Sequence, residues 1–174
     1  MKMNIRKLYI TWQHFDRLVD KLASEIKVYK KGNIPLTSAI TAIITKSRGG
    51  FPVATALAHR LNIKNVHEFI PEHYDFKAMR EKNQIFLIVD DIADSGKTMF
   101  NMVTEIGIEH CYCAVLHYKL ERSRIRPDFF GELVDLQTWV IYPYETDETS
   151  KVDYEEKEPV EDHIALPDEK VSHE

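Results

Sequence analysis

Two adjacent carboxylates, Asp90 and Asp91, close an apolar run, and a third, Asp94, precedes a turn of small residues. The whole segment, Ile85 to Thr98, reads IFLIVDDIADSGKT. A buried strand of a parallel sheet delivers such carboxylates to its C-terminal end, where ligands bind in open α/β sheets. Ser95 and Gly96 then lead into Lys97 and Thr98 at the start of a helix, where backbone N–H groups make a cradle for phosphate. Ser95 and Thr98 add hydroxyl donors. The segment thus offers carboxylates for hydroxyls or a metal beside an anion hole, one ribose length apart. Helix capping and solvated acids are the plainer reading of the same residues. The GKT at 96–98 resembles the end of a nucleotide-binding P-loop, but that motif needs glycine where this chain has Asp91. A carboxylate there would repel the phosphates, so the P-loop reading fails.

A second glycine-bearing turn, SRGG at 47–50, lies between an apolar run and a helical pattern. Its glycines let backbone N–H groups approach an anion, and Arg48 supplies positive charge.

Elements must hold these loops in place. Trp12, Phe15, Leu18, Val19, Leu22 and Ile26 recur at helical spacing, with Thr11 as the N-cap. AITAIIT at 39–45 reads as a buried strand, FPVATALAHRLNI as a helix, and VHEFI as a second strand. Residues 72–84 are polar and weakly patterned, the profile of a mobile loop. IFLIV at 85–89 gives the strongest strand signal and feeds a helix from Lys97 to about His110. YCAVLHY at 112–118 is a further strand. A long basic connection follows, in which Arg122, Arg124 and Arg126 read as solvated, and WVIYPYE at 139–145 ends the apolar pattern. Strands alternating with helices predict an α/β domain with a mainly parallel central sheet flanked by helices.

Composition agrees with a globular protein: of 174 residues, 44% are hydrophobic and 29% charged. Residues 145–174 carry twelve acids against three lysines, while the rest holds twenty basic and sixteen acidic side chains. A domain over 1–145 with a mildly basic body suits an anionic ligand, and 146–174 reads as a loosely packed acidic tail. Neither part is basic enough to suggest nucleic acid, and no apolar run suggests a membrane span. No secretory signal is expected at the N-terminus, and Cys111 and Cys113 fit buried thiols in a reducing, cytoplasmic setting.

The segment IVDDIADSGKTM resembles the ribose-phosphate signature of the type I phosphoribosyltransferases, and SRGG resembles their pyrophosphate loop. Similarity to the xanthine-guanine and hypoxanthine-guanine (purine) members extends to Thr11-Trp12, to Lys119 after a strand, and to the Trp-led segment WVIYPYE. The resemblance implies the type I phosphoribosyltransferase fold, with a small hood and a flexible loop. It also implies Mg²⁺-dependent transfer of the phosphoribosyl group from 5-phosphoribosyl-1-pyrophosphate to a 6-oxopurine base, in purine salvage.

Under that resemblance Asp90 and Asp91 hold the ribose hydroxyls, directly or through Mg²⁺. Asp94 is the acid–base group near purine N7, and Asp94, Ser95, Gly96, Lys97 and Thr98 bind the 5′-phosphate. Ser47, Arg48, Gly49 and Gly50 bind pyrophosphate, with a strained peptide around Lys46, Ser47 and Arg48. Lys119 donates to the exocyclic oxygen, Trp139 stacks on the base, and the Val140 backbone reads its edge. A solvated Lys119 and a core-packing Trp139 are the alternatives. Tyr74 and Arg80 belong to the flexible loop, where His73-Tyr74-Asp75 departs from the relatives' Ser-Tyr pair; Arg80 and Lys82 meet pyrophosphate on closure or are solvated. The family forms homodimers or homotetramers. Two other functions remain open: another acceptor base, or a non-catalytic sensor of phosphoribosyl pyrophosphate or nucleotide.

Overall fold

The structure is a computed structural model that describes residues 5–46 and 48–145. The acidic tail and Ser47, with the peptides on either side of it, lie outside the described residues.

The chain opens with strand β1 (Arg6–Tyr9) and helix α1 (Trp12–Val28). Thr11 caps α1 as its sequence suggests, its Oγ1 accepting from the His14 N–H at 3.1 Å. A small hairpin, β2 (Lys30–Lys31) and β3 (Ile34–Pro35), and the one-turn α2 (Leu36–Ala39) lead into β4 (Ile40–Thr45). Helix α3 (Gly50–Leu61) and strand β5 (Val66–Glu68) follow. Then come α4 (Phe76–Glu81), β6 (Ile85–Ala93), α5 (Lys97–Ile106), β7 (Cys111–Tyr118), β8 (Phe129–Leu133) and β9 (Thr138–Ile141).

Five strands form one sheet in the order β5-β4-β6-β7-β8, every neighbouring pair parallel. Central strands of such a sheet are covered on both faces, which is why their sequences run apolar without alternation. Up to Val89 the pleat sorts them between two cores. Ile43, Leu87, Val89, Ala114 and Leu116 pack with Leu18, Leu22 and Ile26 of α1 and Val53 and Leu57 of α3. Ala42, Ile44, Phe86, Ile88, Cys113 and Val115 pack with Met99, Met102, Val103 and Ile106 of α5. Both cysteines are buried, and neither forms a disulfide with the other described residues.

Several elements differ from the sequence expectation. Strand β6 runs four residues past Val89, because β7 pairs with it as far as Ala93 opposite Tyr118. Ladder bonds there override the poor strand preference of aspartate. Helix α5 stops at Ile106, and a 3₁₀ turn at Ile108–His110 follows Gly107. The expected loop at 72–84 contains α4, capped by Asp75, whose Oδ1 accepts from Ala78 N–H at 3.0 Å. Strand β8 arises inside the long connection, and β9 pairs in parallel with β1 as a separate two-stranded sheet. That small sheet carries Trp139 and Val140.

Candidate active site

The C-terminal ends of β6 and β7, the start of α3, the start of α5 and the β9 segment surround one cleft of about 520 Å³. Its walls bring together Arg48 and Gly49, Asp90 and Asp91, Asp94 through Thr98, Lys119, Trp139 and Val140. Parts of the chain nearly a hundred residues apart therefore meet in one cleft. Gly50 is buried as the first residue of α3, directly behind the loop. Tyr74 and Arg80 lie elsewhere. The Tyr74 hydroxyl donates to the Glu68 carbonyl at 2.7 Å, and its ring clusters with those of Phe69 and Phe76, which also touch each other. Arg80 donates to the carbonyls of Glu105 and Ile106 at 3.0 and 3.3 Å, satisfying the last turn of α5.

The turn expected to cradle phosphate has a defined backbone. Gly96 sits at φ 65°, a left-handed conformation that turns the chain from β6 into α5. The connection after β7 braces it from behind: Arg124 N–H donates to the Ser95 carbonyl at 3.0 Å, and a Cβ on Gly96 would strike the Ser123 hydroxyl. Phosphate bound here meets the N-terminus of α5, where the helix dipole favours an anion.

Asp90 and Asp91 are nearly buried, at 8% and 9% exposure. Asp90 Oδ1 accepts from the Asp91 N–H at 3.0 Å, and Asp91 Oδ1 from the Ile92 N–H at 2.8 Å. Burial, reinforced by the negative charges of Asp90 and Glu145, raises the Asp91 carboxyl well above the usual carboxylate range. Asp90 and Asp91 offer only hard carboxylate oxygens, the donor type that suits Mg²⁺, which completes its shell with water and substrate oxygens. Among the described residues, no group of three or more His, Cys, Asp or Glu is placed to hold a metal ion by itself. One or two carboxylates plus substrate oxygens is the arrangement that fits.

Asp94 faces two cations. Lys119 Nζ lies 3.5 Å and Arg122 Nη1 3.2 Å from its Oδ1. Lys119 is 1% exposed, so it is not a solvated lysine. Its N–H bonds the Ala93 carbonyl at 3.1 Å, which fixes its stem beside the end of β6. Arg122 was expected in solvent; instead the turn after Lys119, closed by the Arg122 and Ser123 N–H groups on the Lys119 carbonyl, brings it onto Asp94. Trp139 is half-buried in the cleft wall.

Sequence reasoning missed two tyrosines, Tyr142 and Tyr144, which also line the cleft. Their rings stack with centroids 5.4 Å apart and planes 1° apart. Tyr142 donates to the Asp91 carbonyl at 2.8 Å. Its single proton is then committed, so His117, 2.7 Å away, must donate from Nδ1. Burial pushes the His117 pKa down to about 4, against the opposing pull of Glu132, so the ring is neutral at pH 7. A spacing of two in YPY was the available signal, but it is indistinguishable from core packing.

No protein-family model matches the chain. It is 28% identical over 153 residues to the xanthine-guanine phosphoribosyltransferase of Nitratidesulfovibrio vulgaris (strain Hildenborough), covering 82% of this chain and 87% of that one. Against the enzyme of the same name from Idiomarina loihiensis it is 25% identical over 152 residues, 80% of this chain and 88% of the other. The purine phosphoribosyltransferase structure from Pyrococcus horikoshii Ot3 superposes with a TM-score of 0.64 at 25% identity, over 80% of this chain and 94% of that chain. The chain is similar to purine phosphoribosyltransferases in sequence and in fold. A Helicobacter pylori xanthine-guanine-hypoxanthine phosphoribosyltransferase shares the fold at TM-score 0.60 and 18% identity, covering 83% of this chain and 97% of that one. The type I phosphoribosyltransferase fold expected from the ribose-phosphate signature is thus the fold observed.

Proposed function

We propose that this chain transfers the 5-phosphoribosyl group from 5-phosphoribosyl-1-pyrophosphate to a 6-oxopurine, releasing pyrophosphate and a nucleoside 5′-monophosphate, in purine salvage. The carrying observation is the pairing of buried Lys119 with Asp94 at the lip of the phosphate cradle. That pairing sets a donor for an exocyclic oxygen beside an acceptor for a ring proton.

The 5′-phosphate lies on the N–H groups and hydroxyls of residues 95–98, and the ribose hydroxyls face Asp90 and Asp91. Asp90 and Asp91 would hold Mg²⁺ together with water and substrate oxygens, and the ion would supply positive charge for the departing pyrophosphate. Arg48 and the Gly49 and Gly50 backbone receive that group. As the C1–O bond to pyrophosphate breaks, purine N9 supplies the electron pair of the new C1–N bond. The proton on N7 passes to the Asp94 carboxylate, which leaves the purine neutral. Lys119 donates to O6, where negative charge builds as the proton leaves. Adenine presents an amino group there, a donor facing a donor, and is rejected. Trp139 covers the base face, and the Val140 backbone meets its edge.

The test is product formation. Hypoxanthine, guanine, xanthine, adenine, uracil and orotate are each offered with Mg²⁺ and phosphoribosyl pyrophosphate, and products are separated by chromatography. Mononucleotide from a 6-oxopurine and none from adenine supports the proposal; product only from a pyrimidine contradicts it.

A further inference from the structure

Tyr144 touches both halves of the pyrophosphate side of the cleft. Its hydroxyl lies 3.0 Å from the Gly49 carbonyl and 3.3 Å from Asp91 Oδ2. Its ring is held from three sides, stacked on Tyr142 and edge-on to Phe15, with Trp12 at 6.3 Å. Tyr142 in turn holds the Asp91 carbonyl. The tyrosine pair therefore grips Asp91 at its main chain and at its carboxylate. The same pair fastens the glycine turn that starts α3.

We infer that Tyr144 is a positioning residue for the phosphoribosyl donor, setting the pyrophosphate turn and the Asp91 carboxylate in register with each other. This rests on the reading of the cleft as a phosphoribosyl pyrophosphate site and goes beyond it. The physical reason lies in peptide geometry. A trans peptide points its N–H opposite to its C=O, so tying the Gly49 carbonyl to Tyr144 fixes the direction of the Gly50 N–H. Gly49 has no side chain, which lets the Asp91 carboxylate seat directly against its backbone. Two loops packed this closely depend on one another's position, and the single proton of the Tyr144 hydroxyl lies between acceptors on both, 3.0 Å from the Gly49 carbonyl and 3.3 Å from Asp91 Oδ2. A phenyl ring would keep the stacking and lose the tie. Since a ring alone satisfies the packing, the hydroxyl has a separate job.

The experiment uses Tyr144→Phe in the full chain, with unfolding midpoint and circular dichroism confirming the fold. Two readouts are taken: KM for donor and for base, and calorimetric binding of Mg²⁺-pyrophosphate. The expected result is a rise of about fivefold in both donor KM and the Mg²⁺-pyrophosphate dissociation constant, the effect of losing one or two hydrogen bonds. Base KM stays within twofold. Donor KM and Mg²⁺-pyrophosphate affinity both unchanged would overturn the inference, as would equal rises for donor and base. If the wild-type chain binds Mg²⁺-pyrophosphate but makes no nucleotide, the transferase reading fails while the binding comparison still decides the role of Tyr144. A wild-type chain that binds neither donor nor Mg²⁺-pyrophosphate contradicts both.

Discussion

The ammonium of Lys119 is buried and lies 3.5 Å from the carboxylate of Asp94. Lysine is among the residues least often found fully buried, and it is tolerated there when paired. Arg122 shares the same carboxylate oxygen, so Lys119 can turn part of its three-donor capacity to a ligand without leaving Asp94 alone.

Replacing Lys119 with Gln should therefore act on the base and not on the donor. KM for the 6-oxopurine rises by about tenfold or more, matching loss of a charged hydrogen bond worth roughly 1.5–3 kcal/mol. Donor KM is unchanged. Steady-state kinetics with each substrate varied in turn checks this, and an unchanged base preference would remove Lys119 from the base site.

Asp94→Asn keeps the shape and removes the proton acceptor. Turnover falls by about 10²- to 10⁴-fold, the range of a general acid–base group. Binding of phosphoribosyl pyrophosphate, measured by calorimetry, persists. A variant with near-normal turnover would show that the N7 proton leaves by another route.

Gly49→Ala and Gly96→Ala test the two anion loops separately. A methyl at Gly49 would overlap Asp91 Oδ2, forcing apart the pyrophosphate turn and the carboxylate. One at Gly96 meets Ser123 Oγ and lies 3.1 Å from the Arg124 nitrogen, at a φ that disfavours side chains. The expected outcome is loss of donor binding in both, with mononucleotide product binding hit harder in Gly96→Ala because it retains only the 5′-phosphate. Equal tightness of mononucleotide in the wild type and Gly96→Ala would remove this turn from the phosphate site.

The sequence made the middle of the molecule legible and the periphery opaque. Strands β4, β6 and β7 are buried on both faces, so each appears as an uninterrupted apolar run. Strand β1, reading RKLY, is mostly exposed and exists through its pairing with β9, more than a hundred residues away. No local pattern announces such a partner. Strand β8, FFGEL, has only a short buried stretch around Gly131, whose added Cβ would meet the Leu116 carbonyl. The site divides similarly. The acids and glycines at 90–98 and 47–50 are local motifs whose chemistry is written in their spacing. Arg122, Tyr142 and Tyr144 gain their meaning from partners 28 to 95 residues distant and so looked like solvent or core.

His117 gives the fold a pH dependence. Its pKa in the folded chain, about 4, lies below the unfolded value of about 6.5. Between those values the unfolded chain holds more protons, so stability is full above pH 6.5 and falls as pH drops towards 4. The loss approaches about 3 kcal/mol for this fully buried ring. Asp91, with its raised pKa, acts in the opposite sense, which is why a variant is needed to isolate the histidine. Denaturant midpoints from pH 7 to 4 should fall more steeply in the wild type than in His117→Gln; parallel curves would place the dependence elsewhere.

The central claim is transfer of phosphoribosyl to a 6-oxopurine, and phosphorus NMR follows it directly. Phosphoribosyl pyrophosphate, Mg²⁺ and the protein are mixed with guanine, hypoxanthine or xanthine, with adenine as the control. The account predicts that the diphosphate signals of the donor give way to inorganic pyrophosphate as a nucleoside monophosphate signal grows in equal amount. This occurs with at least one 6-oxopurine, not with adenine, and stops when Mg²⁺ is chelated. A donor spectrum that stays unchanged with all three 6-oxopurines, or one that changes equally with adenine, contradicts it.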